Sequence, residues 1–334
     1  MKVLRFFVLV TLTMFISNTV FSQSIQFDNP IAEQRADPWV YKTDDGIYYL
    51  IATVPEYDKI VIRKANSING LKTAEEKSIW FKHETGVMGY HIWAPELHKI
   101  DGTWYIYFAA GEKDNIWNIR MWVLSNDSEN PMEGVWKEEG QIKTEHDSFS
   151  LDATTFMHHD KRYLIWAQNV SKEVHGTALV ISEMENPTTL KGSEVVLTEP
   201  DFSWEKMKYN VNEGPAVIKR NGKVFVTYSA SATNHNYCIG LLSIDDDANL
   251  LEASNWYKSP APVFYTNEDV KRFGPGHNSF TTSEDGEKDI LIYHARDYKA
   301  IIGDELSDPN RETRARVIEW TASGFPDFQQ RSDD

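Results

Sequence analysis

Five segments of the chain repeat one pattern, in which a short apolar strand, a tight turn and a second, aromatic-rich strand follow one another. The predicted turns are Asp45-Gly46, Asp101-Gly102, Asp160-Lys161, Asn221-Gly222 and Asp285-Gly286. We call the position nine residues before the second turn residue the slot. In the five segments, in order, this slot is occupied by Asp37, Trp93, Asp152, Glu213 and His277. The slots are separated by 56, 59, 61 and 64 residues, a period typical of propeller blades.

The repeat predicts an all-β fold, a five-bladed β-propeller with four-stranded antiparallel blades around a central axis. Val, Ile, Tyr and Trp suit a pleated sheet, and Asp-Gly or Asn-Gly supplies the positive φ angles of a tight hairpin. The alternative is a two-sheet sandwich, which gives no reason for one turn and one slot to recur five times. We expect Ile25–Phe27 to pair with the last blade, whose third strand is predicted at Arg314–Trp320, and to close the ring.

The first residues have the pattern of a secretory signal over 1–22, in which Lys2 and Arg5 precede or flank an apolar stretch at Phe6–Phe15. That stretch is too short to span a membrane. We expect cleavage before Gln23 and one propeller domain over residues 23–334. Cys238 is the only cysteine, so no intramolecular disulfide can form. An exported chain without disulfides suggests a bacterial periplasm or exterior.

The chain is acidic, with 34 Lys and Arg against 50 Asp and Glu and a formal net charge of −16. Such a chain is repelled by phosphate backbones and by anionic lipid. We therefore expect no nucleic-acid or membrane partner, and we expect a monomer that acts on a neutral, soluble substrate.

Three of the five slots hold carboxylates, Asp37, Asp152 and Glu213, each before a predicted inner strand. Any one of them alone would be explained as a turn or cap residue. Three that converge on an axis favour glycoside hydrolysis, in which one carboxylic acid protonates the leaving oxygen and one carboxylate activates water or attacks carbon. Glu213 suits the acid role because Glu has a longer reach and a higher intrinsic pKa than Asp. A metal-dependent hydrolase is disfavoured because the sequence has no Cys/His ligand cluster.

These motifs resemble glycoside hydrolase family 43. The resemblance is carried by Arg35-Ala36-Asp37-Pro38, Leu151-Asp152-Ala153, Glu213-Gly214-Pro215 and Trp93-Ala94-Pro95-Glu96, which occur in the family's order. It implies a five-bladed propeller that hydrolyses arabinose- or xylose-containing polymers with inversion. Asp37 is then the catalytic base, Asp152 the modulator of the acid's pKa, and Glu213 the general acid.

A finer resemblance is to the exo-acting α-L-arabinofuranosidases of that family, through the segments Val54–Asp58, His91–Trp93 and Asp308–Arg311. It implies release of terminal L-arabinofuranose from arabinan or arabino-oligosaccharides, and plant cell-wall arabinan or arabinoxylan as the partner. The alternatives within the class are a β-xylosidase and an endo-arabinanase. A non-catalytic sugar-binding propeller is the alternative of another class, but it has no need for three acids in register.

Further site residues complete the prediction. We expect His91 and Trp93 to line the sugar pocket and Tyr209 and Asn210 to touch substrate. The resemblance also implies that an arginine of the last blade reaches the site, for which Arg314 is our choice. It further implies that His277 helps to hold a calcium or other ion in the central channel through water. No cofactor is predicted to be required. The segments His158-His159 and Asp245-Asp246-Asp247 are interpreted as exposed turns without a complete metal-ligand pattern.

Overall fold

The structure is a computed structural model that describes residues 25–171, 176–328 and 330. Regular structure there is almost entirely β-strand, with short 3-10 helices at Asn69–Lys72, Ser203–Glu205 and Ala253–Asn255. The all-β prediction is confirmed. Within these residues no helix has the length and apolar character needed to cross a membrane. The predicted signal, residues 1–22, lies outside the described residues.

Consecutive strands form five units of four. The first unit contains β1 (Ala36–Lys42), β2 (Tyr48–Thr53), β3 (Lys59–Ala65) and β4 (Glu76–Phe81). The second contains β5 (Tyr90–Ile100), β6 (Thr103–Gly111), β7 (Arg120–Asn126) and β8 (Lys137–Gln141). The third contains β9 (Ser150–His158), β10 (Lys161–Gln168), β11 (Gly176–Asn186) and β12 (Thr189–Thr198). The fourth contains β13 (Asn210–Arg220), β14 (Lys223–Ala230), β15 (Cys238–Asp245) and β16 (Tyr257–Lys258). The fifth contains β17 (Phe273–Thr282), β18 (Asp289–Arg296), β19 (Glu312–Trp320) and β20 (Pro326–Asp327).

Within each unit the strands pair antiparallel in chain order. The third and fourth units also share a short parallel pairing between β11 and β13, which joins them into one eight-stranded sheet. The first strands of the units contact one another in cyclic order, β1 with β5, β5 with β9, β9 with β13, β13 with β17 and β17 with β1. The starts of the five first strands are thereby brought together.

The apolar core is divided into five clusters, and each cluster is built mainly from two neighbouring units. Leu164 of β10, for example, packs with Tyr107 of β6 between the third and second units. Leu50 of β2 packs with Ile292 of β18 between the first and fifth units. Burial of such side chains stabilises the folded state by about 1.5–3 kcal/mol each, so the interfaces between units hold the sheets in place.

Every first strand breaks its pairing with the second strand at a bulge near its start. In each strand one residue with a positive φ angle lies at an equivalent position of the bulge; these residues are Asp37, Ala94, Asp152, Gly214 and His277, and β5 and β17 each have a further one, His91 and Gly274. A bulge redirects side chains and is common beside functional sites. In all five strands the left-handed residue lies six positions before the last residue paired across the hairpin.

This register corrects the predicted slots. Asp37, Asp152 and His277 are structurally equivalent, but Trp93 and Glu213 lie one residue before the equivalent positions, which are held by Ala94 and Gly214. The count from the turns failed because the turns differ in length. The third turn consists of His159 and Asp160, both with positive φ, so that Lys161 already belongs to β10.

The contact between the chain's beginning and the fifth unit forms a few residues later than predicted. Ala32, rather than Ile25–Phe27, bridges to Thr313 of β19, and the Ile31 N–H donates to the Thr313 carbonyl at 2.8 Å. The predicted third strand at Arg314–Trp320 is β19, which starts at Glu312. The fourth strand of this unit is β20, which pairs with the far end of β19.

Candidate active site

A pocket of about 800 Å³ opens where the first strands begin. Seven of the predicted site residues line it, namely Asp37, Trp93, Asp152, Tyr209, Asn210, Glu213 and His277. The lining also includes Trp117 after β6, Arg311 before β19 and the segment Asp304–Leu306. The bulged starts of β1, β9, β13 and β17 therefore direct three carboxyl groups and an imidazole into one cavity.

Asp37 is buried beside a cation. The Arg311 guanidinium donates to Asp37 Oδ1 at 3.2 Å, and His277 Nδ1 lies 3.3 Å from the same oxygen. The Asp37 backbone N–H donates to His294 Nδ1 at 3.1 Å. Burial raises the pKa of Asp37, but Arg311 and then His277 lower it by more, so its pKa is well below the ordinary range. The Asp37 carboxylate is ionised at neutral pH.

The pKa of Glu213 is shifted in the opposite direction to that of Asp37. Its Oε1 accepts a hydrogen bond from the Tyr237 hydroxyl at 2.7 Å. Burial raises the pKa of Glu213 to about 7, and the hydrogen bond from Tyr237 opposes that rise. Glu213 can therefore hold a proton at neutral pH and release it.

Asp152 interacts with both other acids. Its Oδ2 accepts a hydrogen bond from the Gly214 N–H at 3.0 Å, directly beside Glu213 in sequence. Burial, and then the charges of Glu213 and Asp37, raise the pKa of Asp152 well above its ordinary value. Ionising all three acids in one cavity would be electrostatically unfavourable. The surroundings favour the ionised form of Asp37 and the protonated form of Asp152.

His277 lies between the acids, with Nδ1 also 4.0 Å from Asp152 Oδ2. Burial lowers the pKa of this imidazole. Calcium takes six to eight oxygen ligands. The His277 imidazole lies beside the two carboxylates, and the Ser229 hydroxyl accepts a hydrogen bond from the His277 backbone N–H. An ion at this position would have to be held largely through water. The ion remains a prediction.

Aromatic side chains form one wall. Trp93 lines the pocket and contacts Tyr57 at 5.5 Å and Trp117 at 6.1 Å between ring centroids. His91 does not line the pocket but stacks behind Trp93, with ring centroids 4.1 Å apart. The prediction that His91 contacts the cavity is therefore wrong, and the reason is the bulge in β5, which turns Trp93 inward and covers His91.

The arginine that reaches the acids is Arg311 and not the predicted Arg314. Arg314 lies within β19, is buried, and donates to Asp297 Oδ1 at 2.7 Å. Arg311 precedes the strand, at the end of the β18–β19 connection, where a side chain can reach the cavity. Its other guanidinium nitrogen donates to the Tyr57 hydroxyl at 3.2 Å.

Two connections form the mouth of the pocket. Lys208, before β13, makes an ion pair with Glu305 of the β18–β19 connection at 2.7 Å. Tyr57 donates to the Leu306 carbonyl of the same connection. Tyr209, which is 49 % exposed, lies beside these contacts at the rim. The long fifth-unit connection thus covers one side of the cavity.

Sequence reasoning missed Arg311, Tyr237, His294 and Trp117. Arg311 is the last residue of the segment Asp308–Arg311 that carried the finer resemblance, so a signal for it was present. Tyr237 directly precedes β15 and His294 lies on β18, and their rings stack 5.6 Å apart; Tyr237 contacts Glu213 and His294 contacts Asp37. No local pattern distinguishes them from ordinary core residues.

The sequence matches Glycosyl hydrolases family 43 over residues 27–326. The pocket with its three acids thus belongs to a glycoside hydrolase, and the chain is a member of that family.

Several relatives are closely similar. The chain is 56 % identical over 307 residues to an extracellular exo-α-(1→5)-L-arabinofuranosidase of Streptomyces avermitilis, covering 92 % of this chain and 64 % of the relative. A Streptomyces chartreusis protein of the same name is 53 % identical over 278 residues, which is 83 % of this chain and 85 % of that one. The crystal structure of an α-L-arabinofuranosidase from Lactobacillus brevis matches with a TM-score of 0.87 at 48 % identity, covering 91 % and 96 % of the two chains. The chain therefore spans just under two thirds of the Streptomyces avermitilis protein.

Proposed function

We propose that the protein is an inverting exo-α-(1→5)-L-arabinofuranosidase that releases terminal L-arabinofuranose from arabinan and arabino-oligosaccharides. The observation that carries the proposal is one pocket in which Asp37 is ionised and Glu213 has a pKa of about 7. Glycoside hydrolysis needs this division between a base and an acid. The sugar and the linkage rest on the names of the two Streptomyces relatives.

In this proposal each acid has one task. Asp37 takes a proton from the attacking water, because Arg311 keeps its carboxylate charged. Glu213 gives its proton to the departing glycosidic oxygen. Asp152 accepts the N–H of Gly214, so it fixes the backbone from which Glu213 projects and is placed to modulate the pKa of the acid.

The stereochemical outcome tests the mechanism. An inverting enzyme needs its two carboxyl groups about 6.5–9.5 Å apart so that water fits between the base and the anomeric carbon. Proton NMR during the first minutes of hydrolysis should therefore detect the β-anomer of arabinofuranose as the initial product of an α-linked substrate. Initial formation of the α-anomer would contradict inversion and would make Asp37 a nucleophile.

Exo action is supported by the shape of the cavity. The β18–β19 connection covers one side, where Tyr57 and Lys208 bind it, and Trp93 forms a wall. The Trp93 indole nitrogen is buried and finds no hydrogen-bond partner among the described residues.

A time course on linear α-1,5-arabino-oligosaccharides tests the cleavage mode. Exo action should yield arabinose from the first samples, with substrates shortened by one sugar at a time. Early dimers and trimers would instead indicate an endo-arabinanase. Release of xylose from xylo-oligosaccharides without arabinose would indicate a β-xylosidase, and binding of either sugar without hydrolysis would indicate a non-catalytic propeller.

The wider architecture is part of the same proposal. A five-bladed propeller is supported by the cyclic contacts of the first strands and by the apolar clusters between neighbouring units. We further propose a signal at residues 1–22, a single catalytic domain over 23–334, export to the periplasm or medium, and a monomer. Export is supported by the word extracellular in the Streptomyces names. N-terminal sequencing of the exported protein should give Gln23, and light scattering should give the mass of one chain.

A further inference from the structure

Two hairpin ends on neighbouring units bring together two histidines and a carboxylate far from the pocket. His158 ends β9, and His159 is the first residue of the turn that follows. Asp246 follows β15, in the turn after it. The interpretation of these residues as exposed turns is confirmed for His159 and Asp246 and is wrong for His158, which is buried. His158 is 4 % exposed, and all three side chains meet across the boundary between the third and fourth units.

The geometry of this cluster suits a shared ligand. His158 Nδ1 lies 3.7 Å from Asp246 Oδ1, and His159 Nε2 lies 3.8 Å from Asp246 Oδ2. Donor atoms about 2.0–2.2 Å from a tetrahedral zinc ion are roughly 3.4 Å apart, so small side-chain rotations would bring these atoms to ligand positions. His159 Nε2 also lies 2.7 Å from the Asp246 carbonyl oxygen, a contact that a bound ion would replace.

The backbone holds the cluster in place. Left-handed φ angles at His159 and Asp160 form the tight turn, and the Asp246 N–H donates to the Gly222 carbonyl at 2.9 Å. Lys219 of β13 donates to the Met157 carbonyl at 2.8 Å, next to His158. Both ligand-bearing turns are thus fixed before any ion arrives, which lowers the entropic cost of binding.

The carboxylate of Asp246 is not neutralised by a lysine or arginine among the described residues, so it can attract a cation. Asp245 is paired with Lys223, whereas the ion-pair partners of Asp246 are the two histidines. His158 Nδ1 is the ring nitrogen that faces Asp246 Oδ1, so it is the atom placed to bind an ion.

We propose that His158, His159 and Asp246 bind a divalent transition-metal ion of the zinc class and that this ion links the third unit to the fourth. Two imidazoles and one carboxylate are the donors that zinc, nickel and copper accept, whereas calcium and magnesium prefer oxygen alone. The site serves stability and not hydrolysis. Asp152 is six residues before His158 on β9, roughly 20 Å away at the rise of an extended strand.

Zinc titration of tag-free, chelator-treated protein tests the proposal, with His159→Asn and Asp246→Asn as the main variants. Both side chains are substantially exposed, and Asn tolerates the left-handed φ of His159, so both variants should fold. His235→Asn, in a loop of the fourth unit, is the matched control. Calcium in place of zinc is the control for the ion.

The wild-type protein and His235→Asn should bind one zinc ion per chain in competition with a chromophoric chelator, and zinc should raise their unfolding temperatures. His159→Asn and Asp246→Asn should each bind at least tenfold more weakly and lose most of the temperature shift. Arabinoside hydrolysis should be the same in all four proteins. Equal zinc affinity in the wild type and both main variants, no zinc binding to the wild type, or an equal calcium-induced shift that is lost in both main variants would overturn the proposal.

Discussion

At the scale of single residues, Asp37 and Glu213 lie in one pocket but are driven to opposite protonation states. Arg311 supplies the positive charge that ionises Asp37. Glu213 makes no ion pair with any residue that the structure describes, and burial dominates its pKa. The division of roles between the two acids is therefore determined by one guanidinium group on the β18–β19 connection.

Replacement of Glu213 by Ala should separate substrates by leaving group. Hydrolysis of natural arabinosides should fall by roughly 10²–10⁴, the contribution of a general acid. A dinitrophenyl arabinoside should lose much less, because its leaving group departs without a proton. Steady-state rates on both substrates measure this difference. Asp37→Ala should abolish both activities, and equal losses for Glu213→Ala would contradict its role as the acid.

Replacement of Tyr237 by Phe should move the alkaline side of the pH–rate profile. The Tyr237 hydroxyl lowers the pKa of Glu213, so its removal should raise that pKa. A general acid works when protonated, and the loss of kcat with rising pH should therefore begin at a higher pH than in the wild type. Tyr228→Phe is the matched control, because Tyr228 donates to a different buried carboxylate, Glu205, at 2.8 Å. An equal displacement in both variants would argue against a specific effect.

Replacement of Arg311 by Gln should move the acidic side of the same profile. Without the guanidinium the pKa of Asp37 rises, and the base is ionised only at higher pH. The rising limb of kcat/KM should shift to higher pH, and the maximal rate should fall. Arg314→Gln removes a buried arginine of the same region that pairs with Asp297, and its rising limb should stay in place. A shift with Arg314→Gln but not with Arg311→Gln would restore the original assignment.

At the scale of elements, the bulged first strand is the unit from which the site is made. Gly214 has a φ of +53°, and a Cβ there would lie 3.0 Å from the His277 ring. Gly214→Ala should therefore strain the bulge by about 1–3 kcal/mol and displace His277 and the N–H that holds Asp152. Gly222→Ala, at a φ of +74° with no atom within 4 Å of the added Cβ, should cost stability without loss of activity. Denaturant unfolding and kcat of the two variants make the comparison.

The bulges also mark where sequence reasoning ended. The repeat, the hairpins and the convergence of Asp37, Asp152, Glu213 and Trp93 on one pocket could be predicted from local patterns and a count. The register could not, because turns of different length shift the count by one residue. Arg311 approaches Asp37 from 274 positions along the chain, and His294 from 257. Such contacts depend on the closure of the whole fold, which no local pattern encodes.

At the scale of the whole molecule, the proposed catalytic acid Glu213 lowers the stability of the fold at alkaline pH. The pKa of Glu213 is raised in the folded protein to about 7 from 4.5. Its contribution to stability is therefore complete below pH 4.5 and is lost as the pH rises through 7, by on the order of 3 kcal/mol. Glu213→Gln, which cannot ionise, should be more stable than the wild type at pH 8 and similar to it at pH 4.5. Urea unfolding at both pH values measures the difference, and an equal difference at the two pH values would contradict the raised pKa.

The placement of the apolar clusters between units limits how the number of repeats can change in evolution. Leu50 and Ile292 pack against each other from units at opposite ends of the chain, so the first and last repeats are as much neighbours as any consecutive pair. Duplication or deletion of one repeat would leave two faces that were never selected to fit each other. Lineages of this protein are therefore expected to diversify through their connecting loops, while the number of repeats is inherited unchanged.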